Sequence, residues 1–296
     1  MTILNTLNFV VSHPLNCNQK FAALQRFAKW QIGSRLISGA VLYEWINGAR
    51  FLVRSGDTGL TGNIYAGLHE FPDMAFVLHM LRPTDLFIDA GANVGSYTIL
   101  ACAAAGARGI AFEPVPKTYA RLLENVRLNN LEARTSIHNA GLGKSRGKLA
   151  FTASLDTMNH ALAEGEYADE KIEVELITLD ETVVINAPTM IKIDVEGYEI
   201  PVIEGAQRTL GNPFLKSVIM ELNGSGSRYG YDEEDILRTM LRYGFEPYSY
   251  EPFSRKLIYL NGKNQASGNT IFVRDTALVN ERVRSAQRIK INGMEI

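Results

Sequence analysis

The segment 85–95 reads DLFIDAGANVG, and with GIAFEP at 109–114 it decides the fold of this 296-residue chain. Residues 86–89 form a short apolar run that stops at an acid and a glycine turn, which predicts a buried strand. The composition of 95–105 predicts a helix that ends at Gly106. A strand, a tight loop, a helix and a second strand therefore follow one another, and the loop is a candidate ligand cradle.

The loop does not have the spacing of a dinucleotide fingerprint. That fingerprint needs glycines at relative positions one, three and six, where this chain has Gly91, Asn93 and Ser96. Asp89 would repel a diphosphate but suits a ligand with an ammonium group. Glu113, at the end of the second strand, can accept hydrogen bonds from two ribose hydroxyls. An amino-acid group joined to a ribose without phosphates describes S-adenosylmethionine.

Three ordered motifs resemble the FkbM family of S-adenosylmethionine-dependent methyltransferases. They are FIDAGANVGSYT at 87–98, AFEPVP at 111–116 and IKIDVEGYE at 191–199. The resemblance covers residues 65–274, most of the chain. It implies a class I methyltransferase fold and, usually, methylation of a hydroxyl on a sugar, a glycolipid or a polyketide-type metabolite.

The resemblance also implies a set of cofactor-binding residues in the glycine loop, at the strand ends and just before the first strand. They are Asp89, Gly91, Asn93, Gly95, Glu113, Pro114, Asn139, Ala140, Asp194, Tyr65 and Glu70. Asn139 and Ala140 follow the third strand, where this fold places the adenine. Tyr65 and Glu70 lie in a segment that folds over the cofactor in many class I methyltransferases; a turn with a half-buried tyrosine is the alternative interpretation.

Acceptor chemistry is predicted at the ends of the fourth and fifth strands. Asp194 or Glu196 could position the acceptor hydroxyl and take its proton. The alternative is that Asp194 binds the cofactor and Glu196 caps the following helix. His160 is a further candidate base, although a lone histidine is more often a surface residue. Glu221 and Asn223 are the candidate substrate-binding residues.

The same carboxylates raise the question of a metal. Asp194, Glu196 and Glu221 could together hold Mg²⁺, as hard oxygen ligands do. Carboxylates this far apart in sequence are a weak indication of a metal site, so our prediction includes no metal.

Composition narrows the class of protein. Thirty basic and 32 acidic residues give a net charge of −2, so the basic footprint of a nucleic-acid-binding protein is absent. Cys17 and Cys102 have neither disulfide-framework nor zinc spacing. No stretch approaches about 18 uncharged apolar residues, which predicts no integral membrane segment and a cytoplasmic protein.

Segments outside the motifs carry weaker patterns. Residues 19–38 predict an amphipathic helix, interpreted as a lid on the core domain or a homodimer contact. A membrane-surface role is a minor alternative, because the polar face is only moderately basic. Glycines in 56–62 predict turns. Residues 152–170 predict a mobile loop at the mouth of the site, and 282–290 predict a solvated basic helix.

Alternating strands and helices around one glycine loop predict an α/β fold, Rossmann-like, with a doubly wound and mostly parallel sheet. We divide the chain into an N-terminal extension at 1–62, the methyltransferase domain at 63–275 and a C-terminal basic tail at 276–296. The predicted function is methyl transfer from S-adenosylmethionine to the hydroxyl of a small molecule, which leaves S-adenosylhomocysteine. The alternatives are a nitrogen acceptor in a peptide, antibiotic or base, an NAD-dependent Rossmann enzyme, and a non-catalytic binding module.

Overall fold

The computed structural model describes residues 3–152, 160–163, 166–167, 170–183 and 187–296. The helices are α1 (Ile3–Ser12), α2 (Lys20–Leu36), α3 (Thr58–Ala66), α4 (Phe71–Met80), α5 (Ser96–Ile99), α6 (Pro116–Leu128), α7 (Leu179–Thr182), α8 (Glu199–Glu204), α9 (Gln207–Gly211), α10 (Glu233–Arg242) and α11 (Thr276–Ser285). The strands are β1 (Val41–Glu44), β2 (Arg50–Val53), β3 (Leu86–Ala90), β4 (Arg108–Phe112), β5 (Thr135–His138), β6 (Gly141–Leu142), β7 (Gly147–Thr152), β8 (Lys171–Ile177), β9 (Met190–Ile193), β10 (Ser217–Glu221), β11 (Glu246–Glu251), β12 (Lys256–Tyr259), β13 (Asn269–Val273), β14 (Lys290–Ile291) and β15 (Met294–Glu295).

The central sheet has the strand order β12-β11-β13-β10-β9-β3-β4-β5. Strands β10, β9, β3, β4 and β5 run parallel, with Ile88 paired to Ile110 on one side and to Ile191 on the other. Strand β13 is antiparallel to both of its neighbours. This arrangement confirms the predicted class I, Rossmann-like fold with a doubly wound, mostly parallel sheet.

Helices cover both faces of the sheet, as the apolar strands require. Successive side chains of a strand point to opposite faces, so Phe87 joins a core cluster on one face and Ile88 a cluster on the other. Every residue of β3 and of β9 is buried, the pattern of strands covered on both sides. The sheet therefore has no open face near the motifs.

The helix predicted at 95–105 is present in two parts. α5 is continued by one turn of π-helix at Leu100–Ala104, and Gly106 follows with a φ of 82°, a conformation that favours glycine. The helix therefore begins directly after the glycine loop, as predicted.

The turns predicted at 56–62 are partly wrong, because Gly59 and Gly62 lie inside α3. A Cβ at Gly62 would run into the imidazole ring of His69. Glycine at this position therefore permits close packing of the helix against the following segment rather than a turn.

The solvated helix predicted at 282–290 is also wrong. α11 ends at Ser285, and the short β14–β15 hairpin follows. Val283 is buried, and Arg282 forms an ion pair of 2.6 Å with the buried carboxylate of Asp85. The prediction was based on the basic residues of this segment, but its apolar positions pack on the rest of the chain.

Of the other segments with weaker sequence patterns, the structure describes some fully and some only in part. α2 confirms the helix predicted at 19–38, and β8 is the middle strand of the separate sheet β6-β8-β7. Much of the predicted loop 152–170 lies outside the described residues. Among the described helices, none is both long enough and apolar enough to span a membrane.

Candidate active site

A cavity of about 920 Å³ lies at the carboxyl ends of the parallel strands. Because parallel strands end at the same edge of a sheet, the three sequence motifs meet there. The predicted residues that line the cavity are Tyr65, Glu70, Asp89, Gly91, Asn93, Glu113, Pro114, Ala140, Asp194, Glu196 and Glu221. Those that the structure describes outside the lining are Gly95, Asn139, His160 and Asn223.

The glycine loop is pressed between two strand ends. The backbone N–H groups of Gly91 and Ala92 donate to the carbonyl oxygen of Phe112, at 3.1 and 2.9 Å. Gly91 has a φ of 82°, and a Cβ there would run into the carbonyl oxygen of Asp194. The fold itself therefore requires this glycine, independently of any ligand.

Glu113 is held rigidly at the end of β4. Its Oε2 accepts from the backbone N–H of Asn93 and its Oε1 from that of Val115, both at 2.9 Å. Burial raises the pKa of Glu113 to about 7, although these two N–H donors lower it. Each carboxylate oxygen keeps a second lone pair, so Glu113 can still accept hydrogen bonds from a ligand.

Asp89 is buried deeper, within β3. The hydroxyl of Thr98 donates to its Oδ2 at 2.5 Å. Burial raises the pKa of Asp89 to about 6, while the Thr98 hydrogen bond and the charge of Lys192 lower it. The first two strand ends thus present carboxyl groups that titrate near neutral pH.

Lys192 is a site residue that the sequence reasoning missed. It is 1% exposed and lines the cavity, with Nζ 2.9 Å from Oδ2 of Asp194 and 3.4 Å from Oδ1 of Asn269. Burial lowers the pKa of Lys192, but the carboxylates of Asp194 and Glu70 outweigh burial and raise it above its ordinary value. A single lysine in an otherwise apolar strand was the available signal, because charged residues are rarely fully buried unless paired.

A second set of side chains that the sequence reasoning missed extends the hydrogen-bond network of Lys192 to α4. The side-chain amide of Asn269 donates to Glu70 at 2.9 Å and to Asp73 at 3.2 Å. The hydroxyl of Tyr97 donates to Glu70 at 2.7 Å, and its ring lies 5.0 Å from Nζ of Lys192. Burial and the charge of Glu70 raise the pKa of Asp73 to about 7. Glu70 therefore lines the cavity as part of a hydrogen-bonded network.

Three carboxylates converge on the acceptor side of the cavity. Oxygen atoms of Asp194, Glu196 and Glu221 lie within 4.8 Å of one another. Burial and the charge of Asp194 raise the pKa of Glu221 to about 9. Its buried Oε2 has no hydrogen-bond partner among the described residues. Such a cluster has the chemistry of a cation site, but Lys192 already supplies a positive charge beside it, and the absence of a metal stays a prediction.

The N-cap of α8 is Tyr198, without a side-chain cap hydrogen bond, so the predicted capping role of Glu196 is wrong, while a cofactor role for Asp194 stays a prediction. Glu199 holds the loop before the helix, because its Oε1 accepts from the backbone N–H groups of Gly197 at 3.1 Å and Val195 at 3.3 Å. Glu196 has a φ of 55°, a strained conformation for this residue type. Burial and the charge of Asp194 raise the pKa of Glu196.

Two predicted residues lie outside the lining of the cavity and bond to other groups. Nε2 of His160 lies 2.8 Å from Oε1 of Glu166. Oδ1 of Asn223 accepts from the backbone N–H of Ser225 at 2.9 Å. Their roles as base and substrate ligand stay predictions.

The other two outlying residues support the loop. The side-chain amide of Asn139 donates to the carbonyl oxygens of Glu113 and Pro114, at 2.9 and 3.0 Å. Gly95 has a φ of 100° and is the N-cap of α5. Both therefore stabilise the backbone around the cavity, and a direct cofactor contact from either stays a prediction.

Tyr65 is buried rather than half-buried as in the alternative interpretation, with 4% of its surface exposed. Its hydroxyl accepts a hydrogen bond of 2.8 Å from Gln31 of α2. The N-terminal helices thus reach the cavity through a residue that the resemblance assigned to the cofactor.

Comparisons with known proteins identify the family of this chain. The sequence profile described as Methyltransferase FkbM domain matches residues 89–247. The hexuronic acid methyltransferase AglP of Haloferax volcanii is 28% identical over 170 residues, 55% of this chain and 64% of that protein. Methyltransferase 1 of Beauveria bassiana is 28% identical over 149 residues, 42% of this chain and 59% of that protein.

This chain thus spans less than two thirds of either relative. The crystal structure of methyltransferase FkbM from Methylobacillus flagellatus matches with a TM-score of 0.41 and 17% identity, over 65% of this chain and 44% of that one. The family profile covers more than half of the present sequence, from the first strand end to β11. The chain belongs to the methyltransferase FkbM family.

Proposed function

We propose that this protein transfers a methyl group from S-adenosylmethionine to a hydroxyl of a small, carbohydrate-type acceptor. The proposal rests on one observation, the excess of acidic over basic side chains in the lining of the cavity. The carboxylates in the lining are Asp57, Glu70, Asp89, Glu113, Asp194, Glu196 and Glu221, against the basic side chains of Arg35, Arg121 and Lys192. Such a lining favours a cationic nucleoside over a phosphorylated one.

The basic side chains do not reverse this preference, because each is already bonded within the protein. Lys192 pairs with Asp194, and Arg121 pairs with Asp57. Arg35 donates to the side chain of a glutamine in its own helix, at 2.7 Å. A pyrophosphate would therefore meet carboxylates without a free arginine or lysine at the glycine loop.

The lining residues fit the parts of the proposed cofactor. Asp89 would receive the ammonium group, and Glu113 would accept hydrogen bonds from the ribose hydroxyls through its remaining lone pairs. Pro114 and Ala140 supply apolar surface beside the place where the adenine would lie. When bound, the cofactor supplies a methyl group on a positively charged sulfur.

Asp194 is the proposed general base. It would accept the proton of the acceptor hydroxyl while the oxygen–carbon bond forms and the carbon–sulfur bond breaks. Lys192 is the positioning residue, because its ammonium group fixes one carboxylate oxygen of Asp194 at 2.9 Å. Glu221, which lies within 4.8 Å of Asp194, would hydrogen-bond the acceptor from the other side.

A hydroxyl acceptor of carbohydrate type agrees with two observations. One relative is named a hexuronic acid methyltransferase, and the lining on the acceptor side is rich in oxygen atoms that can hydrogen-bond several hydroxyl groups. The nitrogen-acceptor alternative is decided by experiment.

The test is isotope-labelled methyl transfer from S-adenosylmethionine into a panel of uronic acids, neutral sugars, glycolipids and amines. The proposal expects label in a hydroxyl-bearing carbohydrate, and loss of that label with D194N. Label in amines alone would show that the acceptor atom is nitrogen and not oxygen. A failure to bind S-adenosylhomocysteine would overturn the cofactor as well.

A further inference from the structure

Phe27 and Trp30 of α2 pack on the core, but most of the other apolar positions of this helix do not. Along its outer face, Phe21, Leu24, Ala28, Ile32 and Leu36 recur at helical spacing and are exposed. Phe21 is 75% exposed, Ile32 63% and Leu36 80%, whereas Ala23 alone among the residues of this helix is fully buried. In the preceding helix, Ile3 and Leu4 are exposed as well. An apolar surface of this extent on one pair of helices marks an interaction site.

The same surface carries positive charge and no acid. The first 43 residues contain Lys20, Arg26, Lys29 and Arg35, and the first acidic residue is Glu44. Among the described residues, no carboxylate lies within ion-pair distance of Lys20 or Lys29, and both are exposed. A basic flank beside an apolar stripe is typical of helices that lie in the interface of an anionic membrane.

The C-terminal hairpin packs beside the start of this surface. Asn292, in its turn, donates to Oδ1 of Asn16 at 3.2 Å, and a Cβ at Gly293 would run into the side chain of Gln19. Lys290 is exposed on the hairpin, and so is Glu295, its cross-strand partner. The hairpin therefore lies beside the start of α2 without adding net charge to it, although the two are far apart in sequence.

We propose that α1 and α2 dock on an anionic lipid bilayer through their exposed residues, defined here as the N-terminal face: Ile3, Leu4, Phe21, Leu24, Ile32, Leu36, Lys20 and Lys29. The apolar side chains enter the boundary between headgroups and acyl chains, and the lysines contact anionic headgroups. A second copy of this chain fits less well. A two-fold contact places the same patch on both subunits, and an acid-free basic patch would then face itself.

Docking would also place the membrane beside the cavity. Thr6 of α1 and Trp30, Ser34 and Arg35 of α2 line the same cavity as the strand ends. The outer sides of these two helices form the N-terminal face, and their inner sides form one wall of the cavity. An acceptor held at the membrane surface would thus meet the site without leaving the bilayer. The docking itself does not depend on which reaction the cavity performs.

The experiment is co-sedimentation of the full chain with two kinds of vesicle, phosphatidylcholine alone and phosphatidylcholine with one third phosphatidylglycerol. Binding to the anionic vesicles is expected to be at least about tenfold tighter and to weaken as salt is added. F21S/I32S/L36S removes the stripe, and K20Q/K29Q removes the charge. Each is expected to weaken binding at least about tenfold.

The matched control is F214S/I258S, which changes two exposed apolar residues elsewhere, 70% and 50% exposed. It is expected to bind like the unaltered chain. Since all the altered side chains are exposed, thermal unfolding should stay within a few degrees in each variant. Equal binding to both vesicle types, or an equal loss in the control, would overturn the proposal. So would sedimentation analysis showing a dimer that F21S/I32S/L36S converts to monomer without any vesicle binding.

Discussion

The ammonium nitrogen of Lys192 lies 2.9 Å from a carboxylate oxygen of Asp194, where β9 ends at the cavity. The lysine is 1% exposed at its side chain and the aspartate 32%. Four further polar groups depend on this one buried cation, since Asn269 lies within hydrogen-bond distance and Glu70, Glu221 and Asp89 lie within its electrostatic reach. Lys192 thus balances the negative charge of the site.

Replacing this lysine with an uncharged residue of similar length is expected to destabilise the protein. K192M would leave a group of partly buried carboxylates without their cation, at a cost on the order of 3 kcal/mol in the free energy of unfolding. Urea unfolding measures this change. The double variant K192M/D194N should recover part of the loss, because it also removes the nearest uncompensated charge. If K192M is as stable as the unaltered protein, the lysine does not have this role.

Gly91 offers a test of how tightly the loop is held. G91A would add a Cβ against the carbonyl oxygen of Asp194, as well as a strained φ. The matched control is G39A, since Gly39 has a φ of 115° but nothing within 4 Å of the added atom. We expect G39A to cost about 1 kcal/mol and G91A at least about 2 kcal/mol more. Equal losses in chemical denaturation would mean that the loop can move away from β9.

The pH dependence follows from Asp89 and Glu113, whose pKa values are about 6 and about 7 in the folded protein. Their ordinary values are 3.8 and 4.5, so the folded state holds these protons more tightly than the unfolded chain. Their contribution to the free energy of unfolding is therefore complete below a pH of about 4 and is lost as the pH rises through about 6 and about 7.

Ligand binding should show the opposite dependence. The ammonium group and the ribose hydroxyls favour the ionised carboxylates, so S-adenosylhomocysteine should bind more tightly as the pH rises through the same range. Calorimetry in buffers with different ionisation enthalpies should detect proton release. E113Q should weaken the binding of S-adenosylhomocysteine and remove the part of its pH dependence that lies near pH 7. An affinity that falls as the pH rises would contradict this assignment.

Asp194 as base predicts a separation between turnover and binding. D194N should lower kcat by about 10² to 10³ and change the affinity for S-adenosylhomocysteine by less than about threefold. D180N is the matched control, because Asp180 accepts from the backbone of Thr209 and does not line the cavity. H160N removes the other candidate base. A larger loss of kcat in H160N than in D194N would transfer the role to His160.

Much of the site could be predicted from sequence because it lies at the ends of parallel strands. Asp89, Glu113 and Asp194 each end an apolar run, and such ends converge whatever the helices between them do. The place of Lys192 could not be predicted in the same way. Its partner Asn269 lies 77 residues further along the chain, in a strand whose neighbour only the sheet order reveals.

In the terminal segments, the sequence-based predictions failed for a different reason. In α2, helical periodicity located the helix, but it did not say whether Phe21 and Ile32 face the core or solvent. In α11 the basic residues suggested solvation, whereas Val283 is buried and Arg282 pairs with Asp85. Periodicity identifies an apolar face, and the tertiary packing decides what covers it.

The central claim is that the acid-lined cavity binds a nucleoside that carries an ammonium group rather than a dinucleotide, and calorimetry with S-adenosylhomocysteine and NAD tests it most directly. Asp85 provides the control, because it lies at the other end of β3 from Asp89 and does not line the cavity. We expect S-adenosylhomocysteine to bind the unaltered protein and D85N alike, to bind D89N and E113Q at least about tenfold more weakly, and NAD not to bind. Tight binding of NAD, with no heat from S-adenosylhomocysteine, would contradict the account.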